Sequence, residues 1–250
     1  MKFVRLERRG EPVWGVVKED RIFTLYHPPY DTLSYDGESL PIKDCQLLAP
    51  CQPTKIICVG KNYAEHAREM GGEPPAFPVL FMKGLNALNV PEGEIHAPDF
   101  VERLDYEGEL AVVMKKKAKN VKAKDFSDYV LGYTCLNDVT ARDIQKLDGQ
   151  WTRGKGMDGF CPVGPWVVDD LDPSDLRVET RLNGELRQSG RTSQFLHPVP
   201  ELIEFITKAI TLEPGDVVAT GTPAGIGPMY SGDQVEVEIE GIGILRNHIV

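Results

Sequence analysis

Glu107-Gly108-Glu109 sets two carboxylates two residues apart at the head of the apolar run Leu110-Ala111-Val112-Val113-Met114. Alternate side chains of a strand share a face, so the two acids lie side by side. Like charges at that spacing raise each other's pKa unless a cation sits between them. The pair is therefore either a solvated strand edge or a cation site. Asp138 follows the run Val130 to Asn137 and precedes a stretch, Asp138 to Leu147, that reads as helix. On spacing alone Asp138 is the N-cap, because its short side chain can accept bonds from first-turn amides. The alternative is a third carboxylate ligand. Two glutamates and an aspartate offer only oxygen, which suits magnesium or manganese rather than zinc and leaves coordination positions for water or a chelating substrate.

His66 and Glu69 stand three apart on a short predicted helix, Asn62 to Met70, and so share a face. A carboxylate beside a histidine can polarise water as a general base, or be a surface polar pair. Arg142 and Gln145 repeat that spacing and either bind a substrate carboxylate or face solvent. His27, His96, His197 and His248 have no such company and read as structural. Glu236 and Glu238 read as a solvated face. The run Gly221-Thr222-Pro223-Ala224-Gly225-Ile226-Gly227 lacks the Gly-Lys-Ser/Thr ending of a phosphate loop, and no nucleophile elbow or His-Glu-x-x-His is present.

The elements that must position these residues are mostly strands. Phe3–Leu6, Val13–Val17 and Arg21–Leu25 predict a β-meander, followed by Pro28-Pro29, Pro41, Pro50 and Pro53. That punctuation places a small N-terminal β domain at residues 1–53 and a catalytic domain at 54–250. Lys55–Gly60, Pro78–Met82, Glu109–Met114, Val130–Leu136, Asp216–Thr220, Gln234–Ile239 and Ile242–Ile249 read as strands. Asn183-Gly184 signals a two-residue hairpin. Pro200 to Ile210 is the strongest helix, with apolar Leu202, Ile203, Phe205, Ile206 and Ala209 at helical spacing. Gly71-Gly72 ahead of the proline-rich Glu73–Pro78 predict a hinge and a stiff arm beside His66 and Glu69. Helices are too few for a doubly wound sheet, so the expected class is α+β and β-rich.

With 38 acids against 28 bases the chain carries −10, which disfavours binding nucleic acid by bulk charge. Hydrophobic residues at 41% exclude a disordered chain. No apolar run reaches the roughly 18 residues of a membrane span. The first nine residues lack the apolar core of a signal peptide, and the five cysteines form no C-x-x-C pair. Reduced thiols in a cytoplasm are the expectation, with Cys58 and Cys135 as core residues.

Taken in order, Val59–His66, Asp105–Leu110, Gly132–Asp143, Gly154-Lys155, Cys161–Trp166, Leu212–Asp216 and Gly221–Gly225 resemble the fumarylacetoacetate hydrolase family, from about Lys55 to Val250. The resemblance implies a mixed β-roll catalytic domain and a divalent cation, Mg2+ with Mn2+ or Ca2+ as alternatives, on Glu107, Glu109 and Asp138. It makes His66 and Glu69 the water-activating pair, and Lys155 the lysine facing a substrate oxyanion. Arg142, Gln145 and Thr222 become substrate contacts. Its leading activity is hydrolysis of a C–C bond in an acylpyruvate-type 2,4-dioxo acid through an enolate at the metal, chemistry that belongs to aromatic catabolism. Isomerisation of a hydroxymuconate-like diacid or decarboxylation of oxaloacetate are the alternatives on the same site, and a non-catalytic binding protein is the third reading. A homodimer is implied. The sequence departs from the family at Gly84-Leu85 after Lys83, and at Gly156 and Gly159, positions at the substrate end of the site.

Overall fold

A computed structural model describes the whole chain, Met1 to Val250. Its largest sheet runs, in hydrogen-bonded order, Tyr35–Pro41, Arg21–Leu25, Glu11–Lys18, Lys2–Arg8, Cys161–Val168, Val130–Asn137, Gly108–Met114, Val217–Ala219, Ile56–Gly60 and Val79–Lys83. Along this path the neighbours are antiparallel except Val217–Ala219 beside Ile56–Gly60, which is parallel. A second sheet orders Glu185–Arg191, Arg177–Leu182, Gln234–Ile239, Gly243–Ile249 and Glu94–Ile95, and a third joins Thr140–Ala141, Leu104–Tyr106 and Gly227–Met229. The fold is the β-rich α+β arrangement expected from the sequence. No helix is long and apolar enough to cross a membrane.

The central strands are buried on both faces, and alternation decides which face each side chain serves. Ile57, Val59, Leu110, Val112, Met114, Tyr133 and Cys135 turn toward the second sheet. There they meet Val178, Val237 and Ile239, together with Leu202, Ile203 and Ile206 of the Val199–Ala209 helix. Ile56, Cys58, Ala111, Val113, Leu136 and Ala219 point the other way, against Phe3, Trp14, Cys161 and Val163. The N-terminal meander forms as expected, and its first strand pairs Lys2 with Val168 and Phe3 with Val167. The first strands thus join the same sheet as the central strands Cys161–Val168, Val130–Asn137 and Gly108–Met114.

The Asn183-Gly184 hairpin forms, with positive φ at both residues, as a type I′ turn requires. Two elements depart from expectation. Cys161–Val168 is a central strand although Pro162 and Pro165 argue against one. A register irregularity between Tyr133 and Cys135 lets the Val130–Asn137 strand accommodate it. The helix expected at Asp138–Leu147 is Arg142–Asp148, with Ala141 as N-cap. Asp138 is therefore not a helix cap. Its amide bonds Glu107 O at 2.9 Å, and Thr140–Ala141 first pairs with Leu104–Tyr106, which delays the helix.

Candidate active site

Antiparallel register brings the carboxylates together. Gly108 lies opposite Asn137 and Glu109 opposite Leu136, so the head of one strand meets the tail of the other. Glu107 and Glu109 share the parity of Ala111 and Val113, and Asp138 that of Leu136. All three continue one apolar face beyond its end. Their carboxylate oxygens lie within 4.8 Å of one another, and all three residues are buried. Gly108 between them turns to the second sheet, where a Cβ would stand 2.1 Å from Thr180 Oγ1. Only glycine fits there.

Cationic side chains cover two of the three carboxylates. Lys155 Nζ donates to Glu107 Oε2 at 2.8 Å, Asp138 Oδ2 at 2.6 Å and Thr140 Oγ1 at 2.9 Å. Lys83 Nζ, equally buried, donates to Asp138 Oδ1 at 2.5 Å and Val139 O at 3.0 Å. Arg142 Nη2 reaches Glu107 Oε1 at 2.5 Å, while its Nε bonds Asp105 Oδ2 at 2.9 Å and its Nη1 bonds Gln145 Oε1 at 2.7 Å. Burial alone would raise Glu107, but Lys155 and Arg142 outweigh it and hold the carboxyl below the usual carboxylate range. Glu109 differs. Its only hydrogen bond is from Gly221 N to Oε2 at 2.7 Å. Burial, with Asp138 and Glu107 beside it, pushes its carboxyl well above the ordinary value. A buried all-oxygen set with one uncompensated carboxylate fits a hard divalent cation.

His66 is buried and borders the cavity that holds the triad. Its Nδ1 lies 3.0 Å from Glu69 Oε2, and its Nε2 has no hydrogen-bond partner. Glu69 Oε1 accepts from Gly225 N at 3.0 Å, and Glu69 borders the adjoining cavity with Arg103, Arg142, Lys146 and Ile226. The expected helix is present as Ala64–Glu69. It is docked at its head, where Tyr63 packs edge-on against Phe195 and Asn62 bonds the backbone of His197 and Thr220.

The structure thus brings Glu107, Glu109, Asp138, His66, Lys155, Arg142, Gln145 and Thr222 to one cavity of about 180 Å3, with Glu69 behind His66. Thr222 Oγ1 is occupied, donating to Gly108 O and accepting from Gln188 Nε2. Several supporting residues escape a reading of the sequence. Asp105, fully buried, clamps Arg142 and Arg103. Gln188, also fully buried, bonds Gly108 N at 3.0 Å and Pro223 O at 2.7 Å, tying the Glu107–Glu109 tripeptide to the glycine-rich loop. No local pattern announces a glutamine of that kind. The loop itself supplies backbone donors to Glu109 and Glu69 rather than to a phosphate.

The family profile described as fumarylacetoacetate (FAA) hydrolase C-terminal matches residues 55–250, and one described as Rv2993c-like, N-terminal matches residues 1–50. Protein Rv2993c of Mycobacterium tuberculosis is 50% identical over 244 residues, 96% of this chain and 90% of its own length. The oxaloacetate tautomerase YisK of Bacillus subtilis is 45% identical over 224 residues, 83% of this chain and 74% of its own. The crystal structure of 5-carboxymethyl-2-hydroxymuconate delta-isomerase from Mycobacterium smegmatis superposes with a TM-score of 0.95 at 42% identity, covering 100% of this chain and 99% of that one. Motif order, acidic triad, fold and the match from residue 55 to 250 agree: the chain belongs to the fumarylacetoacetate hydrolase family.

Proposed function

We propose that this chain is a divalent-metal-dependent enzyme that moves a proton between the keto and enol forms of a 2-oxo acid, an isomerase or tautomerase. The observation that carries the reading is the aim of the acid–base pair. His66 borders the triad cavity with Nδ1 engaged by Glu69 and Nε2 bonded to nothing. A carboxylate on Nδ1–H fixes the tautomer in which Nε2 is the free base. Glu107, Glu109 and Asp138 would hold the ion. When bound there, a magnesium-class cation supplies Lewis acidity toward the 2-oxo group. His66 takes the proton from the adjacent carbon as the 2-oxo group becomes an enolate and delivers it to that oxygen, giving the enol; the reverse order restores the ketone. Lys155 keeps a buried ammonium where negative charge develops on the substrate oxygen. Gln145 has its amide nitrogen free for the substrate, whereas Arg142 uses its donors on Asp105, Glu107 and Gln145 and so orients Glu107.

Hydrolysis of an acylpyruvate, the leading expectation from the resemblance, also needs a base on water. Glu69 borders the adjoining cavity, with Gly225 N on the oxygen that His66 leaves free. The activities named for the Bacillus and M. smegmatis relatives support proton transfer instead. The test is a magnesium-supplemented panel of oxaloacetate, hydroxymuconates and acylpyruvates with products identified. Keto–enol exchange of oxaloacetate, followed by its enol absorbance with carbon count conserved, is the expected result. Acylpyruvate cleavage without such exchange would replace this reading by the hydrolase.

The family resemblance extends a homodimer to this chain. A single-chain mass by light scattering at micromolar concentration would overturn that assignment.

A further inference from the structure

The triad cavity, about 180 Å3, adjoins a larger groove of about 740 Å3. Its lining is mixed: Val79, Leu80, Met82 and Leu85 are aliphatic, and Lys55 and Gln150 are among the polar residues beside them. Phe81, Gly149 and Trp151 border both spaces. The Phe81 ring has Lys155 Nζ 5.0 Å from its centroid and the Trp151 ring edge-on at 5.1 Å. The two rings therefore stand at the boundary between the substrate-side ammonium's cavity and the groove. Trp151 is the N-cap of the Thr152–Lys155 helix, so one short element carries both this wall and Lys155. Across from it is Gly60, where a Cβ would stand 2.5 Å from Trp151 Cζ3. Gly60 has no positive φ. Its bare Cα is there to seat the indole, not to relieve the backbone.

We propose that Trp151, backed by Phe81 and seated on Gly60, is the specificity-determining partition that restricts this site to short 2-oxo acids. The proposal rests on the reading above that the triad cavity takes a 2-oxo acid. A cavity of about 180 Å3 is below the roughly 300–1,000 Å3 of sites for drug-sized ligands. A ligand held beside the triad and near the Lys155 ammonium has its tail directed at either polar lining or this wall. Beyond the wall Val79, Leu80, Met82 and Leu85 give the groove an aliphatic stretch, set among polar residues, that suits a hydrocarbon chain. Removing the indole joins the two spaces and gives a long tail an apolar bed.

The experiment measures binding, so it does not depend on which reaction follows. Magnesium-loaded wild type, Trp151→Ala, Trp151→Phe and Gly60→Ala are titrated with pyruvate, 2-oxobutyrate and 2-oxooctanoate by calorimetry. The wild type should favour the short acids by tenfold or more, about the discrimination one methylene commands in an apolar pocket. Trp151→Ala should abolish or invert that ratio. Trp151→Phe should stay near wild type, and Gly60→Ala, which displaces the ring without deleting it, should fall between. An unchanged length ratio in Trp151→Ala and Gly60→Ala would overturn the partition while leaving the oxo-acid site standing. If wild type binds none of the acids, the oxo-acid reading fails and the partition with it.

Discussion

Glu109→Ala should lose the divalent ion and turnover together. Glu107 is held between Arg142 and Lys155, and Asp138 between Lys83 and Lys155. Glu109 alone has no cationic side chain bonded to it, only the Gly221 amide. Its removal leaves Glu107 and Asp138 already neutralised by Lys83, Lys155 and Arg142, with no uncompensated carboxylate to attract a cation. Loss of an outer-shell partner typically costs roughly 10–100-fold in metal affinity, so loss of a ligand should exceed about 100-fold. Calorimetric titration with Mg2+ and Mn2+ measures it. Retention of affinity within about threefold of wild type would remove Glu109 from the ligand set.

The same residue gives the binding a pH dependence of defined sign. Burial and two neighbouring carboxylates raise the Glu109 carboxyl, so in the ion-free protein a proton competes with the metal. Apparent affinity should fall as pH falls, and binding should release a proton, seen as a dependence of the enthalpy on buffer ionisation heat. Glu109→Ala should lose this linkage. Because the folded-state pKa is raised, ionisation of Glu109 opposes folding above its unfolded value, and the ion-free variant should melt no lower than wild type.

His66→Gln should lower kcat by about 10²–10⁴-fold, the usual contribution of a positioned acid–base group, while leaving metal affinity close to wild type. The basis is that Nε2 is free at the cavity and makes no bond to a triad carboxylate. Glu69→Gln should reduce kcat by less, since the imidazole stays in place but loses the charge on Nδ1. If Glu69→Gln is the more damaging of the two, the base is Glu69 acting on water and the hydrolytic reading gains. Full rate in His66→Gln would end the assignment.

Local pattern determined a good deal of this protein. The apolar run Leu110–Met114 announced a strand, whose geometry sets Glu107 and Glu109 on one face, and the structure places Ala111 and Val113 on that face and Leu110 and Val112 on the other. Asn183-Gly184 announced its hairpin, and the apolar spacing of Leu202, Ile203 and Ile206 its helix, because turn geometry and helix amphipathicity depend on neighbours in sequence. The Glu107–Glu109 and His66–Glu69 pairs were candidates for the same reason, whereas Asp138 read locally as a helix cap and became a candidate ligand only through the order of segments resembling a family.

What tertiary structure alone decided is non-local. Asp138 joins the triad instead of capping a helix because its strand meets Glu107 across the sheet, and the helix waits for Ala141. Cys161–Val168 is a strand although its two prolines, read locally, argue against one, because the neighbouring strand accommodates it with a register irregularity. Lys83, Asp105 and Gln188 come to the site from strands separated by 30 or more residues of chain from the groups they bind, or through an arginine that is so separated. The Trp151–Phe81 wall arises from two edges of the cavity meeting on a bare glycine. Spacing along the chain carries no information on such contacts, since the distance that matters is the one closed by folding.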